Sequence, residues 1–431
     1  MLKLVSAAFV FGYYNPVTVK DGRDRTMPGK ILRGLRIVFV GFLFLGGVIL
    51  ILLLAAALYE EPMTKYRGRA SRVFISDFRQ LVPGPGMPDG FTPLRSTNNV
   101  DLIRVGDSLF MGFRTAPSHF ASPNTRLHIM RSDDLGNTWT EECRINMKRD
   151  LREPRFFYFN QQLFFYFFTG GINPLRFEPG RIHVCRRLDD GSWTDPEPIF
   201  EPGYVVWRLR ERDGKAYMSV YYGAEIYGKG SRGEVRLLRS DDGLKWEPIS
   251  EKPQVDRVGA EEGEFLFDPD GGMYAVVRLE VGGGCLICRA EADQIDQWKC
   301  KFSPYKVDSP LMFSCKGRYF VVGRRNVAGR SARALDWPEG LRNAWSMAFY
   351  SLTRKRTCVY ILNKQNMELD PLFDLPSKGD TAFAGIAPLD NEGRFLLVNY
   401  SSPVDGPDWP WFAGQILGSV LYSCVLDCSL L

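Results

Sequence analysis

The chain has 431 residues, 45% hydrophobic and 24% charged, which is the balance of a folded protein rather than a disordered one. Nine cysteines at irregular spacing exclude a small disulfide scaffold. The net charge of +5 lies wholly in residues 1–58, which hold seven Lys/Arg and two Asp; the rest balances 48 basic against 48 acidic residues, so nucleic acid is excluded as a partner.

Residues 37–58 are a run of 22 without charge or proline. As a helix at ~1.5 Å per residue the run spans roughly 33 Å, enough for a bilayer core. Lys30, Arg33 and Arg36 precede it and Glu60 and Glu61 follow. That bias puts the basic segment 1–36 in the cytoplasm and the body outside. The expectation is a single-pass signal-anchor, because the run exceeds the ~7–15 residues of a signal-peptide apolar region. The alternative is a signal peptide cleaved near Ala55–Ala57, and Met27 is a second candidate start. Residues 59–94 read as a linker, rich in Pro and Gly from Pro83 to Pro88. Within it, Arg72–Phe78 is placed to supply a strand that closes the fold.

Beyond the linker the chain repeats. Trp139, Trp193, Trp246 and Trp298 are separated by 54, 53 and 52 residues. Each follows an acidic-glycine turn or its remnant: Ser132-Asp-Asp-Leu-Gly-Asn-Thr-Trp139, Leu188-Asp-Asp-Gly-Ser-Trp193, Ser240-Asp-Asp-Gly-Leu-Lys-Trp246 and the degenerate Ala292–Trp298. Strand-like runs such as Arg126–Arg131 and Glu234–Arg239 precede the turns, and paired runs such as Leu311–Gly323 and Ile386–Asn399 open the units. Four antiparallel strands per period make a propeller blade. The expected fold is all-β, a six-bladed propeller over 95–431, with blades at 97–147, 150–200, 203–251, 260–306, 308–372 and 380–428. No long amphipathic helix is expected within it.

Ser132–Trp139 fits the Asp-box pattern S-x-D-x-G-x-T-W, and several such turns in an exported propeller resemble the sialidase (neuraminidase) superfamily. Glu262, Asp270-Gly271 and Arg278 also resemble the family's fourth-blade motif, keeping its 16-residue Glu-to-Arg spacing. Phe113–Pro117 and Gly379–Gly385 look like members of a poorly characterised sialidase-like branch. The resemblance implies an arginine cluster gripping an acidic sugar, a Tyr nucleophile made basic by a Glu, and an acid/base Asp. A guanidinium fork matches a carboxylate bidentately, which is why arginine suits the grip. Here the first family arginine falls at Asn98-Asn99. Arg278 is the second and Arg324 the third, with Arg114 and Arg152 as candidates to compensate. The nucleophile position is Phe383, leaving Tyr400, or Tyr221 or Tyr222, as replacements, or Glu262 as a base towards water. His119 is the candidate acid/base.

No cofactor or metal is expected. His128 and His183 fall in third strands of different blades, apart from one another. Cys285 and Cys288 lie on opposite faces of a strand, either as buried thiols or with one paired to Cys300 or Cys315. The aromatic run Phe156–Phe168 reads as blade core, and Trp409-Pro-Trp411 as a loop placed to contact a sugar or lipid headgroup. The function expected is a membrane-anchored, sialidase-like glycoside hydrolase acting on an extracytoplasmic glycan. The alternative is an inactive propeller of the same fold that binds a glycan or protein partner.

Overall fold

The computed structural model describes residues 29–223, 233–280, 283–330 and 337–431. Met27 and most of the basic segment 1–36 lie outside the described residues. The chain divides into two compact units that meet at Leu53/Leu54. Helix α1 covers Gly29–Leu58, and among the described residues no helix is long and apolar enough to cross a membrane.

The second unit is a ring of six antiparallel sheets. A strand β1 (Ile75–Val82) comes first. Blade one is β2 (Ser96–Val105), β3 (Ser108–Ala116), β4 (Arg126–Ser132) and β5 (Thr140–Ile145). Blade two is β6 (Asp150–Phe159), β7 (Gln162–Gly170), β8 (Pro179–Arg186) and β9 (Glu197–Ile199). Blade three is β10 (Tyr204–Arg212), β11 (Lys215–Tyr222), β12 (Glu234–Ser240) and β13 (Glu247–Pro248), with β14 (Val255–Asp256) also on β12. Blade four is β15 (Ala260–Phe267), β16 (Met273–Leu279), β17 (Gly284–Ala290) and β18 (Lys299–Ser303). Blade five is β19 (Asp308–Cys315), β20 (Arg318–Asn326), β21 (Lys355–Asn363) and β22 (Glu368–Asp374). Blade six is β23 (Thr381–Pro388), β24 (Arg394–Ser401) and β25 (Val420–Asp427). The first strands begin within one residue of the boundaries read from the repeat.

Blade six is completed by β1, which pairs with β25 through Ile75↔Leu426 and Val82↔Leu421. Backbone hydrogen bonds between the two ends of the ring therefore close it. The closing strand lies about three residues later than expected, because Arg72 belongs to a 3₁₀ turn over Gly68–Val73.

The acidic-glycine turns join third to fourth strands, on the rim. Thr138 N–H donates to Asp134 Oδ1 (2.9 Å), Gly136 adopts φ +88°, and Trp139 Nε1 donates to the Gly136 carbonyl (3.1 Å). The Ser240 turn repeats the arrangement, with Trp246 Nε1 on the Gly243 carbonyl (3.0 Å). Even the degenerate copy keeps the indole bond, from Trp298 to Ile295 O (3.0 Å). Trp193 differs, donating instead to Glu142 (3.0 Å). Trp246 packs edge-on to Tyr166 of blade two, 6.2 Å between centroids, so these indoles join neighbouring blades.

Two helices depart from the all-strand expectation. Helix α2 (Glu339–Leu352) is inserted between β20 and β21, and α3 (Trp411–Leu417) lies between β24 and β25. Trp411 thus begins a helix instead of lying in a loop. The repeat hid both, since each is an insertion between a second and a third strand and leaves the strand pattern intact. The aromatic run of blade two is core, buried except for Tyr158 among its Phe and Tyr residues. Disulfides join Cys288 to Cys300 across β17 and β18, and Cys315 to Cys428 near the end of the chain. Cys285 is a buried thiol.

Replacing Trp246 by Ala is expected to cost about 3 kcal/mol in urea unfolding followed by circular dichroism, because it empties a packed site between blades. The exposed Trp409→Ala is expected to change stability by less than about 0.5 kcal/mol.

Candidate functional site

Each blade's first strand carries a bulge near its start. The pairing skips between Asn98 and Val100, Arg152 and Arg155, Val206 and Arg208, Glu261 and Glu264, Asp308 and Leu311, and Ala382 and Gly385. In five blades the bulge holds a non-glycine residue at positive φ: Asn99 (47°), Glu153 (55°), Glu262 (49°), Ser309 (51°) and Phe383 (50°). Blade three places Trp207 there. Such a conformation costs on the order of 1 kcal/mol or more, and a bulge re-aims one side chain out of the strand's alternation. The contacts show where these side chains go. Asn99 Nδ2 donates to Glu153 Oε1 across blades one and two (3.2 Å), and Ser309 N–H donates to Glu262 Oε2 across blades four and five (2.6 Å). Trp207 of blade three meets Phe383 of blade six, 5.3 Å between centroids, although these blades stand opposite each other in the ring. The bulges converge on the axis.

Around that point lies a cavity of about 870 Å3. Glu262, Arg278, Arg324, Arg152 and His119 all line it, so five of the residues expected from the sequence come together. Arg114 and Tyr400 do not line it and lie fully buried. The sequence reading gave no site role to Glu153, Glu261 and Glu280, which line the cavity, or to Trp207 at the axis, and took Asn99 only as the place of a lost arginine. The repeat itself was the signal: Asn99, Glu153, Trp207 and Glu262 are separated by 54, 54 and 55 residues, so stepping back from Glu262 by one period reaches the others.

The arginines are heavily engaged. Arg278, near the end of β16, lies 2.5 Å from Glu262 Oε1, 3.0 Å from Glu261 Oε1 and 2.9 Å from Asp308 Oδ1, and also contacts Glu280. The contacts of Nε with Glu261 and Asp308 are ionic without hydrogen-bond alignment, which leaves Arg278 Nε, Glu261 Oε1 and Asp308 Oδ1 without hydrogen-bond partners. Arg324 donates to Tyr350 Oη (3.0 Å), the Thr381 carbonyl (3.2 Å) and Asp308 Oδ2 (3.3 Å), and its guanidinium lies over the Trp411 ring. Arg152 pairs with Asp150 and donates to the His119 carbonyl (2.8 Å). Arg114 supports this wall from behind, donating to Asp150 (2.7 Å), Asn98 (3.2 Å) and the Leu151 carbonyl (3.1 Å).

Burial sorts the carboxyls into two groups. It pushes Glu153 up to about 8, with the nearby Glu262 charge adding to the rise and Arg155 opposing it. Burial likewise raises Glu261 and Glu262. Against the same burial, Arg278, Lys306 and Arg324 hold Asp308 below the usual carboxylate range, and Arg114 and Arg152 do so for Asp150. His119 is kept neutral chiefly by burial; its Nδ1 lies 2.7 Å from Asp380, which His119 and Arg324 hold ionised against burial. An ionised carboxylate only accepts, so Nδ1 carries the proton. Tyr400 also donates to Asp380 (3.1 Å), and burial together with that charge keeps its hydroxyl protonated. Tyr221 does line the cavity; burial and the surrounding Glu261, Glu153 and Glu262 raise it too. His128 and His183 lie in β4 and β8, and among the described residues no cluster of His, Cys, Asp or Glu fits a metal.

No family model and no curated protein sequence matches the chain. Solved structures do. A sialidase from Trypanosoma rangeli superposes with a TM-score of 0.55 at 12% identity, covering 81% of this chain and 59% of that one. Its complex with the inhibitor DANA gives 0.56 at 12%, covering 83% and 60%. The Hadza microbial sialidase Hz136 gives 0.51 at 11%, covering 78% and 67%. The chain thus spans about six-tenths of the Trypanosoma rangeli chains. These likenesses show a sialidase-like six-bladed propeller fold.

Arg278→Met is expected to destabilise the chain by about 3–5 kcal/mol in denaturant unfolding, since it strands several buried carboxylates. For Glu153, whose folded pKa is raised, the contribution to stability is full below the unfolded value of 4.5 and is lost as pH rises through about 8. Stability measured from pH 5 to 8 is therefore expected to fall in the parent chain, by up to several kcal/mol, and to fall less in Glu153→Gln.

Proposed function

We propose that this sialidase-like propeller is the extracytoplasmic part of a membrane-anchored glycoside hydrolase, and that its pocket works through carboxyl groups. Glu153 is the proton donor to the glycosidic oxygen, and Glu262, whose ionised form Arg278 and the Ser309 N–H favour against burial, is the base towards water. The observation that carries this reading is the placement of Glu153 and Glu262. Both are bulged, positive-φ residues lining one cavity, and burial pushes Glu153 up to about 8, so that it holds a proton at neutral pH. A general acid needs that proton, and burial is the usual means of keeping it. Residues 37–58 are the anchor, supported by their exposed large apolar side chains and the basic residues ahead of them. Two disulfides suit an oxidising compartment outside the cytoplasm.

The sugar favoured is uncharged. A structure of the Trypanosoma rangeli sialidase is a complex with sialic acid. An arginine cluster gripping such an acid needs guanidinium groups with capacity to spare, whereas here Arg278 already lies against four acidic side chains. Among the described residues that line the cavity, six are acidic (Asp150, Glu153, Glu178, Glu261, Glu262 and Glu280) and four are arginines (Arg152, Arg176, Arg278 and Arg324). With Glu153 and Glu261 held neutral by burial, the four remaining acids only balance the four arginines, which leaves no cationic excess to draw in a carboxylate.

Phe383 favours a second reading, a binding propeller without turnover. It stands where the resemblance places a nucleophilic Tyr, and it packs against Trp207. A panel of aryl glycosides, neutral and sialylated, separates the two. The hydrolase reading predicts release from a neutral glycoside and at least a hundredfold loss of kcat in both Glu153→Gln and Glu262→Gln. Sugar binding without release from any substrate would establish the binding propeller.

A further inference from the structure

The propeller's exposed apolar surface is concentrated at one end. The cavity lies where first strands begin and second strands finish, and the connections to third strands rise around it. Two of those connections carry α2 and α3. One side of each helix helps to build the cavity wall, through Met347 and Ser351 of α2 and Trp411 and Gln415 of α3. The two helices touch, with Tyr350 and Trp411 rings 5.4 Å apart. Away from the wall, Trp337, Leu341 and Trp345 at α2 and Trp409 and Phe412 at α3 are exposed, as is Leu175 on another part of the rim. Elsewhere on the blades, exposed residues such as Leu135, Tyr158 and Phe302 belong to separate blades, which is ordinary for a protein surface.

The chain's own path says what covers this face. The residues that follow the apolar run are seated beside α2. The Leu58 carbonyl accepts from Arg354 Nη2 (2.8 Å), two residues beyond the end of α2, and Glu61 N–H donates to the Val327 carbonyl (2.9 Å), one residue beyond β20. By covalent continuity, a bilayer holding residues 37–58 starts within a few residues of the connection that carries α2. The exposed side chains suit that neighbour. Tryptophan is enriched at the headgroup level, where its apolar body and polar N–H are both accommodated, and an exposed Arg342 adds a cation on α2.

We propose that the α2/α3 face rests on the bilayer that holds residues 37–58, so that the cavity opens at the lipid headgroups and takes a sugar displayed there. The proposal rests on the anchor reading above. It is testable because all nine tryptophans lie beyond residue 138 and none falls in residues 37–58. Lipid that quenches tryptophan therefore reports on the propeller alone.

The full chain is reconstituted in phosphatidylcholine vesicles whose acyl chains are brominated near the headgroup, and in unbrominated vesicles as reference. Flotation with the vesicles and a loss of roughly a fifth to a third of tryptophan emission are expected, since three of nine indoles sit on the face. The combined Trp337→Phe, Trp345→Phe and Trp409→Phe variant should float equally and lose that quenching. Flotation with identical emission in both lipids, or unchanged quenching in the variant, overturns the proposal and fits a face covered by a second copy or turned from the lipid. A chain that does not float overturns the anchor reading and the proposal together.

Discussion

The structure around the axis depends on one requirement, that charges taken out of water be paired. Arg278, Arg324, Arg114, Glu262, Asp308 and Asp150 are all buried at the heart of a ring of sheets. An isolated charge there would cost several kcal/mol, more than most single interactions in a protein return. The network meets the requirement by spreading partners over blades. Arg278 of blade four reaches Asp308 of blade five, and Arg324 of blade five reaches the Thr381 carbonyl of blade six. The ion pairs therefore fix how neighbouring blades meet, as well as what faces the cavity. Groups left with incomplete bonding, among them Asn99 Oδ1, Trp207 Nε1 and Ser309 Oγ, sit at the bulges. Of these, Asn99 lines the cavity, where a ligand would supply its missing partner.

The bulges are the device that turns a generic ring into a site. A regular strand alternates its side chains between the two faces of its sheet and aims none along the ring's radius. One extra residue at the start of each first strand changes that, at the cost of positive φ in Asn99, Glu153, Glu262, Ser309 and Phe383. Backbone strain repeated at one position around a ring is what functional geometry requires, since packing alone would favour a regular ladder. The closing strand β1 and the rim tryptophans hold the ring against that strain from outside.

Much of this was legible in the sequence. The tryptophan period fixed the blades, and the acidic-glycine turns marked where a strand-like run ends in each. Glu262, Arg278, Arg324, Arg152 and His119 were found from the resemblance and line one cavity. Glu153 was overlooked because Arg152 beside it fitted the expected arginine cluster, whereas the period pointed to Glu153 directly. Tyr400 was placed one layer too shallow: its hydroxyl is bound to Asp380, beneath the cavity. Helices α2 and α3 escaped because a blade tolerates insertions between its second and third strands, so a period read from tryptophans at the rim is blind to them. The pairing of Cys315 with Cys428 was beyond sequence reasoning, because it joins blade five to the chain's last residues, 113 positions apart.

The central claim is that burial at the axis keeps Glu153 protonated so that it can donate to a sugar oxygen. Infrared difference spectroscopy between the parent chain and Glu153→Gln reads that proton directly, through the C=O stretch of a protonated carboxyl. The account predicts a band at neutral pH that belongs to Glu153 and disappears as pH is raised above about 9. A difference spectrum at neutral pH showing only an ionised carboxylate would contradict it.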